Sequence, residues 1–415
     1  MAGRVFGTAA AYRQVIRSPR YFPLWLGQLI SSFGDTLHYV ALVVLVFQLS
    51  GQGVAVAGLV AVEIVPVLVL GPVAGVIIDR ASRKGILVAS DLVRAALALS
   101  LVWPQGVWHA YVVAAGLSAA GVFFNPTVNA VIPALTTPEQ RLAANSVSFS
   151  TGRLVQILAA SIAGGVIAAV GTGPAFALNA ASFVLSAAFI TTLRIPAHAG
   201  QLAASTKRGL GSFFADARAG LDYARRDFFV SRLLIVQSLA SFAVGATGAM
   251  LVVLSERHLR QPPSGFAWLI AAIGAGALIG PLIPNTIGRD YRNARWLFVP
   301  YLIRGVGDVL IAVFTPFPVA LLILFVYGLN ASTGMVVFNS TIQGVIPESM
   351  RGRVFTLLDV DWSALRLVSL GLGALVVDRF GIEPLFWIGG SLLFAAGVLG
   401  LTLLGSFRFS EPAPA

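Results

Sequence analysis

The stretch GPVAGVIIDRASRKG, residues 71–85, sets Asp79, Arg80, Arg83 and Lys84 between two long apolar runs. Charges grouped this way can orient a membrane segment, or they can latch one helix to another by charge-assisted hydrogen bonds. Within the neighbouring apolar runs stand Asp35 and Glu63. A carboxylate at membrane depth is costly when charged, so it commonly faces a cavity or a partner, where it can take up and release a proton. Asp35 and Glu63 are therefore the candidates for proton coupling. A structural hydrogen bond is the other role open to each, and in SSFGDT, residues 31–36, Gly34 is expected to loosen the helix.

Other charged residues pair by helical spacing. Asp91 and Arg94 are three apart, and Arg304 and Asp308 four apart, so each pair shares one helix face and reads as structural. Asp91 and Arg94 can equally pair with the 79–84 cluster. Asp359 and Asp361 follow ESMRGR at the start of an apolar run. There they can meet the basic cluster or be favoured by the amide field of a helix start. The gating candidates are thus Asp79, Arg80, Arg83, Lys84, Asp91, Arg94, Asp359 and Asp361.

Amides and rings suggest a cavity for an amphipathic organic molecule. Asn125, Asn129, Asn330 and Asn339 can bind a polar substrate or knit helices, and Tyr39, Phe123, Phe242, Phe338 and Trp362 can supply apolar walls or fill lipid-facing sides. No catalytic residue, metal or cofactor is expected. Cysteine is absent, the four histidines at 38, 109, 198 and 258 are scattered, and neither HExxH nor GxxxxGK[ST] occurs.

These residues need elements to position them, and the composition names the kind. Of 415 residues, 57% are hydrophobic and 11% charged, against about 25% charged in an ordinary soluble domain. Lipid must cover that surplus. Twelve apolar stretches, from 22–49 to 384–407, approach or exceed the ~20 residues that cross a bilayer core. The net charge of +11 does not point to nucleic acid. Lys and Arg gather in the N-terminal arm, in 80–84, 194–232, 289–295 and 351–353, while the connections near 50–53, 105–109, 171–173 and 315–318 have none. That alternation places both termini and the central linker in the cytoplasm. Trp103 and Trp108 read as interface anchors.

The predicted organisation is an arm (1–20), a six-helix bundle (21–193), a linker (194–227), a second six-helix bundle (228–407) and a tail (408–415). The linker portion 211–227 is expected to lie on the membrane surface as an amphipathic helix, with a solvated linker of incidental helicity as the alternative. The halves echo each other. GPVAG at 71–75 and GPLIP at 280–284 are each followed by a charged run, PEQR at 138–141 echoes PESMR at 347–351, and Arg94 and Asn129 recur as Arg304 and Asn339 at one displacement. A parallel repeat of this kind is an architecture of secondary transporters.

Gly75-x-x-x-Asp79-Arg80-x-x-Arg83-Lys84 resembles the signature between the second and third helices of the major facilitator superfamily. FPLWLGQLISSFGDTL at 22–37 and DLVRA at 91–95 are similar to its drug and macrolide exporter branch, and to enterobactin-type exporters. Ser82 departs from the family's usual glycine, Gly288 replaces the aspartate in the second-half echo, and the fourth helix lacks a buried arginine. The resemblance implies an all-α membrane protein of twelve transmembrane helices in two pseudo-symmetric six-helix bundles, working as a monomer in the bacterial cytoplasmic membrane. It implies proton-driven efflux of amphipathic drugs such as macrolides, with Asp79 and Arg83 as a gate. Export of a siderophore, or transport of a lipid-like metabolite, is the alternative. The expected partners are an amphipathic small molecule, protons and membrane lipids.

Overall fold

The computed structural model describes residues 12–137, 140–195, 210–283 and 294–406, and the longer elements among them are all helices. We number them α1 (Phe22–Ser50), α2 (Gly53–Arg80), α3 (Arg83–Ser100), α4 (Val107–Leu135), α5 (Arg141–Val170), α6 (Gly173–Thr192), α7 (Leu210–Arg226), α8 (Phe228–Ala249), α9 (Ser264–Ile279), α10 (Arg295–Val313), α11 (Phe317–Val345), α12 (Glu348–Phe380) and α13 (Ile382–Leu404). Helices suit such a chain because a bilayer core offers no water to unpaired backbone groups. Large apolar side chains such as Val67, Leu322 and Phe380 are exposed, which is where lipid would cover them.

Ten helices are long and apolar enough to cross a membrane among the described residues, and the protein is a multi-pass membrane protein. The two further predicted spans correspond to α3 and α5, and both are helical. The 18 residues of α3 include Arg83, Lys84, Asp91 and Arg94, which lower its hydropathy. In α5 the apolar run among the described residues is Leu154–Val170.

The chain forms two compact units, residues 1–50 with 62–210 and residues 51–61 with 211–415. In unit 1, α1 packs on α5 and α6, and α3 on α4 and α6. In unit 2, α8 packs on α12 and α13, and α10 on α11 and α13. The second set of pairings repeats the first in chain order, as a duplication requires. The first turns of α2 group with unit 2.

The linker helix α7 packs along one side on unit 2. Gly220 lies so close to α12 that a Cβ there would stand 2.5 Å from the Arg353 carbonyl oxygen. Ala224 is buried, and Leu221 and Tyr223 pack on the unit 2 core. The described face of α7 therefore docks on protein, and the side chains of Phe213, Phe214 and Ala217 lie outside the described residues. So do the repeat segment 284–293, the arm residues 1–11, the tail 407–415 and the side chains of Asp79 and Arg80.

Candidate functional site

Unit 1 contains a cavity of about 190 Å³, lined by Trp25, Gln28, Ser32 and Asp35 of α1, Arg94 of α3, Phe124 and Asn125 of α4, and Ser148 and Thr151 of α5. Long-range hydrogen bonds hold the start of α1 and the residue before it beside α5. The Trp25 indole donates to Thr151 Oγ1 at 3.1 Å, and the Tyr21 hydroxyl donates to the Ala144 carbonyl at 2.9 Å. On another face Gly34 meets α6, where a Cβ would collide with Ser182 and Asn179. Helix α1 is unbroken from Phe22 to Ser50, so Gly34 permits close packing and does not loosen the helix. Asp35, the next residue, turns into the cavity.

The cation of this cavity is enclosed. An Nη2 of Arg94 donates to Asp91 Oδ1, and its guanidinium lies 4.0 Å from the Phe124 ring centroid and 4.4 Å from that of Phe183. The Asp91 side chain is 0% exposed and that of Arg94 7%. Asp91 and Arg94 thus pair with each other, as helical spacing allows, and both charges act on Asp35. Aromatic faces and a carboxylate together compensate a desolvated guanidinium.

Unit 2 contains a larger cavity of about 370 Å³. It is lined by Gln237 of α8, Tyr301 and Arg304 of α10, Tyr327, Asn330, Gly334 and Phe338 of α11, Phe355, Asp359 and Trp362 of α12, and Leu393 of α13. The Tyr301 hydroxyl donates to Gln237 Oε1 at 2.8 Å, and the Asn330 amide donates to the Pro300 carbonyl. Gly305 sets α10 directly against α13: a Cβ there would stand 2.6 Å from the Phe394 nitrogen and 2.7 Å from the Gly390 oxygen. Arg304, one residue back, is thereby carried off that contact and into the cavity. Its Nε stands 3.8 Å from Asp308 Oδ2, and its guanidinium lies 4.0 Å from the Tyr327 ring centroid.

The charged helix ends are held within single units. Ser82 caps α3 by accepting from the Gly85 nitrogen at 3.3 Å, which is a use for the residue where the resembled signature has glycine. Arg83 donates to the Ala130 carbonyl at 3.1 Å, and Lys84 to the carbonyls of Leu193, at 3.0 Å, and Thr191. These cations therefore serve carbonyls near the C-terminal ends of α4 and α6, a favourable place for positive charge.

At the opposite end of α2, Asp378 accepts from the Gly53 nitrogen at 2.7 Å and from the Val54 nitrogen at 3.0 Å. Arg257 donates to the Gly51 carbonyl, and the His258 ring meets Glu383 Oε1 at 2.9 Å. Burial raises the pKa of the neighbouring Glu256 carboxyl, and Arg257 opposes the shift.

Seven of the candidate residues line these cavities: Asp35, Arg94 and Asn125 in unit 1, and Asn330, Phe338, Asp359 and Trp362 in unit 2. Asp359, read as a gate residue, thus opens onto a cavity. Asp361 turns to α8, where it accepts from Ser238 Oγ at 2.7 Å. Glu63 is half-buried on α2, its carbonyl accepting from Ser118 at 2.6 Å, and it lines neither cavity. Tyr39, Phe123, Asn129, Phe242 and Asn339 also lie off both linings, and Asn339 donates to the Met335 carbonyl of its own helix at 2.9 Å. Gln28, Thr151, Gln237, Tyr301 and Asp378 escaped the sequence reading. Arg304 was recognised only as a structural cation, although its repeat partner Arg94 marked the position.

The sequence model of the Major Facilitator Superfamily matches residues 24–358. The chain is similar to the uncharacterized MFS-type transporter YfiS of Bacillus subtilis, with 27% identity over 396 residues and 92% of each chain covered. It is also similar to Macrolide efflux protein A of Streptococcus pyogenes, with 22% identity and 92% and 95% of the two chains covered. A putative bacilysin exporter, BacE, of Bacillus amyloliquefaciens is 24% identical, over 94% and 95%. Among solved structures, the nucleoside transporter NupG superposes with a TM-score of 0.76 at 12% identity, covering 94% of this chain and 99% of that one. A bacterial homolog of the human lysosomal transporter Spinster, in an inward-facing and unoccupied conformation, gives 0.71 at 13% identity, over 97% and 99%. At such identities these structures speak for the fold alone.

Proposed function

The chain belongs to the Major Facilitator Superfamily, secondary transporters that move small solutes across a membrane, and from that premise we propose that it exports amphipathic organic compounds by proton-coupled alternating access. It is a transporter and not an enzyme, since the matched family and the similar structures are transport proteins. The observation that carries the coupling reading is Asp35. It opens onto the unit 1 cavity within reach of the charges of Arg94 and Asp91, so gain or loss of its proton changes the local charge balance. A site that alternates between two charge states can tie proton passage to a conformational change.

The unit 2 cavity, with Phe338, Phe355 and Trp362 beside Asn330 and Tyr301, supplies apolar walls and hydrogen-bonding groups suited to an amphipathic molecule. Macrolides enter as a candidate class through the similarity to Macrolide efflux protein A. Alternating access needs two bundles, and the repeated helix pairings support twelve crossings in two six-helix bundles. The charge alternation supports cytoplasmic termini in a bacterial cytoplasmic membrane, and a monomer suffices for the mechanism.

Uptake into inside-out proteoliposomes under an imposed pH gradient tests this reading, with a macrolide, a lipophilic dye and a siderophore as cargo. Accumulation of the macrolide or dye that collapses with the gradient is expected. Saturable uptake indifferent to the gradient would replace export by facilitation, and uptake of the siderophore alone would reassign the cargo.

A further inference from the structure

We propose that the unit 2 cavity recognises a carboxylate on its ligand, with Arg304 as the anchoring cation. This rests on the reading of that cavity as a substrate site and adds amphipathic organic acids to the substrate classes it would take. Arg304 forms no hydrogen bond among the described residues. Its Nε and Asp308 Oδ2 are both buried without a hydrogen-bond partner, and the 3.8 Å between them is too long for one. A guanidinium keeps its charge and offers five N–H donors in a planar fork. Here it rests on a single ring, that of Tyr327, and lines a cavity of about 370 Å³. A mostly enclosed cation with its hydrogen-bond donors unspent, at the wall of a cavity, is complementary to the two oxygens of a carboxylate.

The internal repeat shows how the cation became accessible. At the displacement that carries Arg94 onto Arg304, Phe124 falls on Gly334 and Asp91 on Tyr301. In unit 1 the Phe124 ring lies against the guanidinium and Asp91 accepts its hydrogen bond. In unit 2 the glycine and the tyrosine leave one face and the donors open. Asp359 lines the same cavity and repels a carboxylate at its own position, which turns the acid of the ligand toward α10.

The test is fluorescence titration of the purified protein in nanodiscs with dansyl-phenylalanine and with its methyl ester, after subtraction of partition into empty nanodiscs. The pair differs by one charge on one scaffold. The free acid is expected to bind about tenfold tighter than the ester, the worth of a hydrogen bond to a charged group. That preference should vanish in Arg304→Gln, survive in part in Arg304→Lys, and grow in Asp308→Asn, which removes the competing carboxylate.

Equal binding of acid and ester by the wild type would overturn the proposal. So would saturable binding of neither, or an acid preference that Arg304→Gln leaves intact. Should Arg304→Gln fail to fold, Asp308→Asn decides: an unchanged or weakened acid preference counts against the site. The export reading stands apart from this outcome. Gradient-driven uptake without acid preference defeats only the carboxylate site, whereas acid preference without gradient-driven uptake defeats only export.

Discussion

Arg94 and Arg304 occupy matching positions in the two units and live in opposite circumstances. Arg94 is 7% exposed, bonded to Asp91 and clasped between the rings of Phe124 and Phe183. Arg304 is 15% exposed, has its acid at 3.8 Å and touches one ring. The repeat displacement places Leu393 where unit 1 has Phe183, so both clasping rings are lost in unit 2. One duplicated arginine thus closes a core beside Asp35 in unit 1 and presents donors to a wider cavity in unit 2. The difference lies in the shell of neighbours.

Breaking the clasped pair should have the largest effect. Arg94→Met leaves Asp91 buried without its partner and is expected to cost about 3–5 kcal/mol. Arg304→Gln, where the pairing is loose, should cost about 1 kcal/mol. Denaturant-unfolding midpoints of the two variants in detergent check the contrast. Similar losses would mean that the two arginines do the same structural work.

Next in size is a swap of the shells. Gly334→Phe restores a ring where unit 1 has Phe124. Its Cβ would meet Pro300 at 3.3 Å, a contact that asks for a small adjustment of that ring. The variant should stay folded and lose ligand binding in the unit 2 cavity by about tenfold or more, since the ring fills space the ligand needs. A folded Gly334→Phe with unaltered binding would place the substrate elsewhere.

The smallest effect is expected at the start of α2. Asp378 accepts from two backbone N–H groups there, so Asp378→Ala should cost about 1 kcal/mol, as loss of a helix cap does. Faster amide hydrogen exchange at Gly53 and Val54 reports it. Unchanged exchange would remove Asp378 from the capping role.

The class of the protein was legible because long apolar stretches leave few alternatives, and the repeat was legible because Arg94 and Asn129 return as Arg304 and Asn339. Local pairs were legible too: three-residue spacing put Asp91 and Arg94 on one face, and they bond. What helical spacing does not carry is which faces converge. The cap of α2 comes from a residue 325 positions away, and Gln237 meets Tyr301 across 64. Glu63, like Asp35, stands within an apolar run and yet lines neither described cavity, because position in a run does not set the direction a helix face takes. Gly34 illustrates the same limit: its role comes from Ser182 and Asn179 on another helix, which no local rule names.

The most direct test of proton coupling through unit 1 compares wild type with Asp35→Asn in two proteoliposome assays. One is pH-gradient-driven accumulation of an amphipathic cargo, and the other is exchange of the same cargo at equal pH. Asp35→Asn is expected to abolish accumulation while exchange stays within about twofold of wild type, as a cargo site proposed for unit 2 requires. Accumulation that persists in Asp35→Asn with wild-type dependence on the gradient would contradict that coupling.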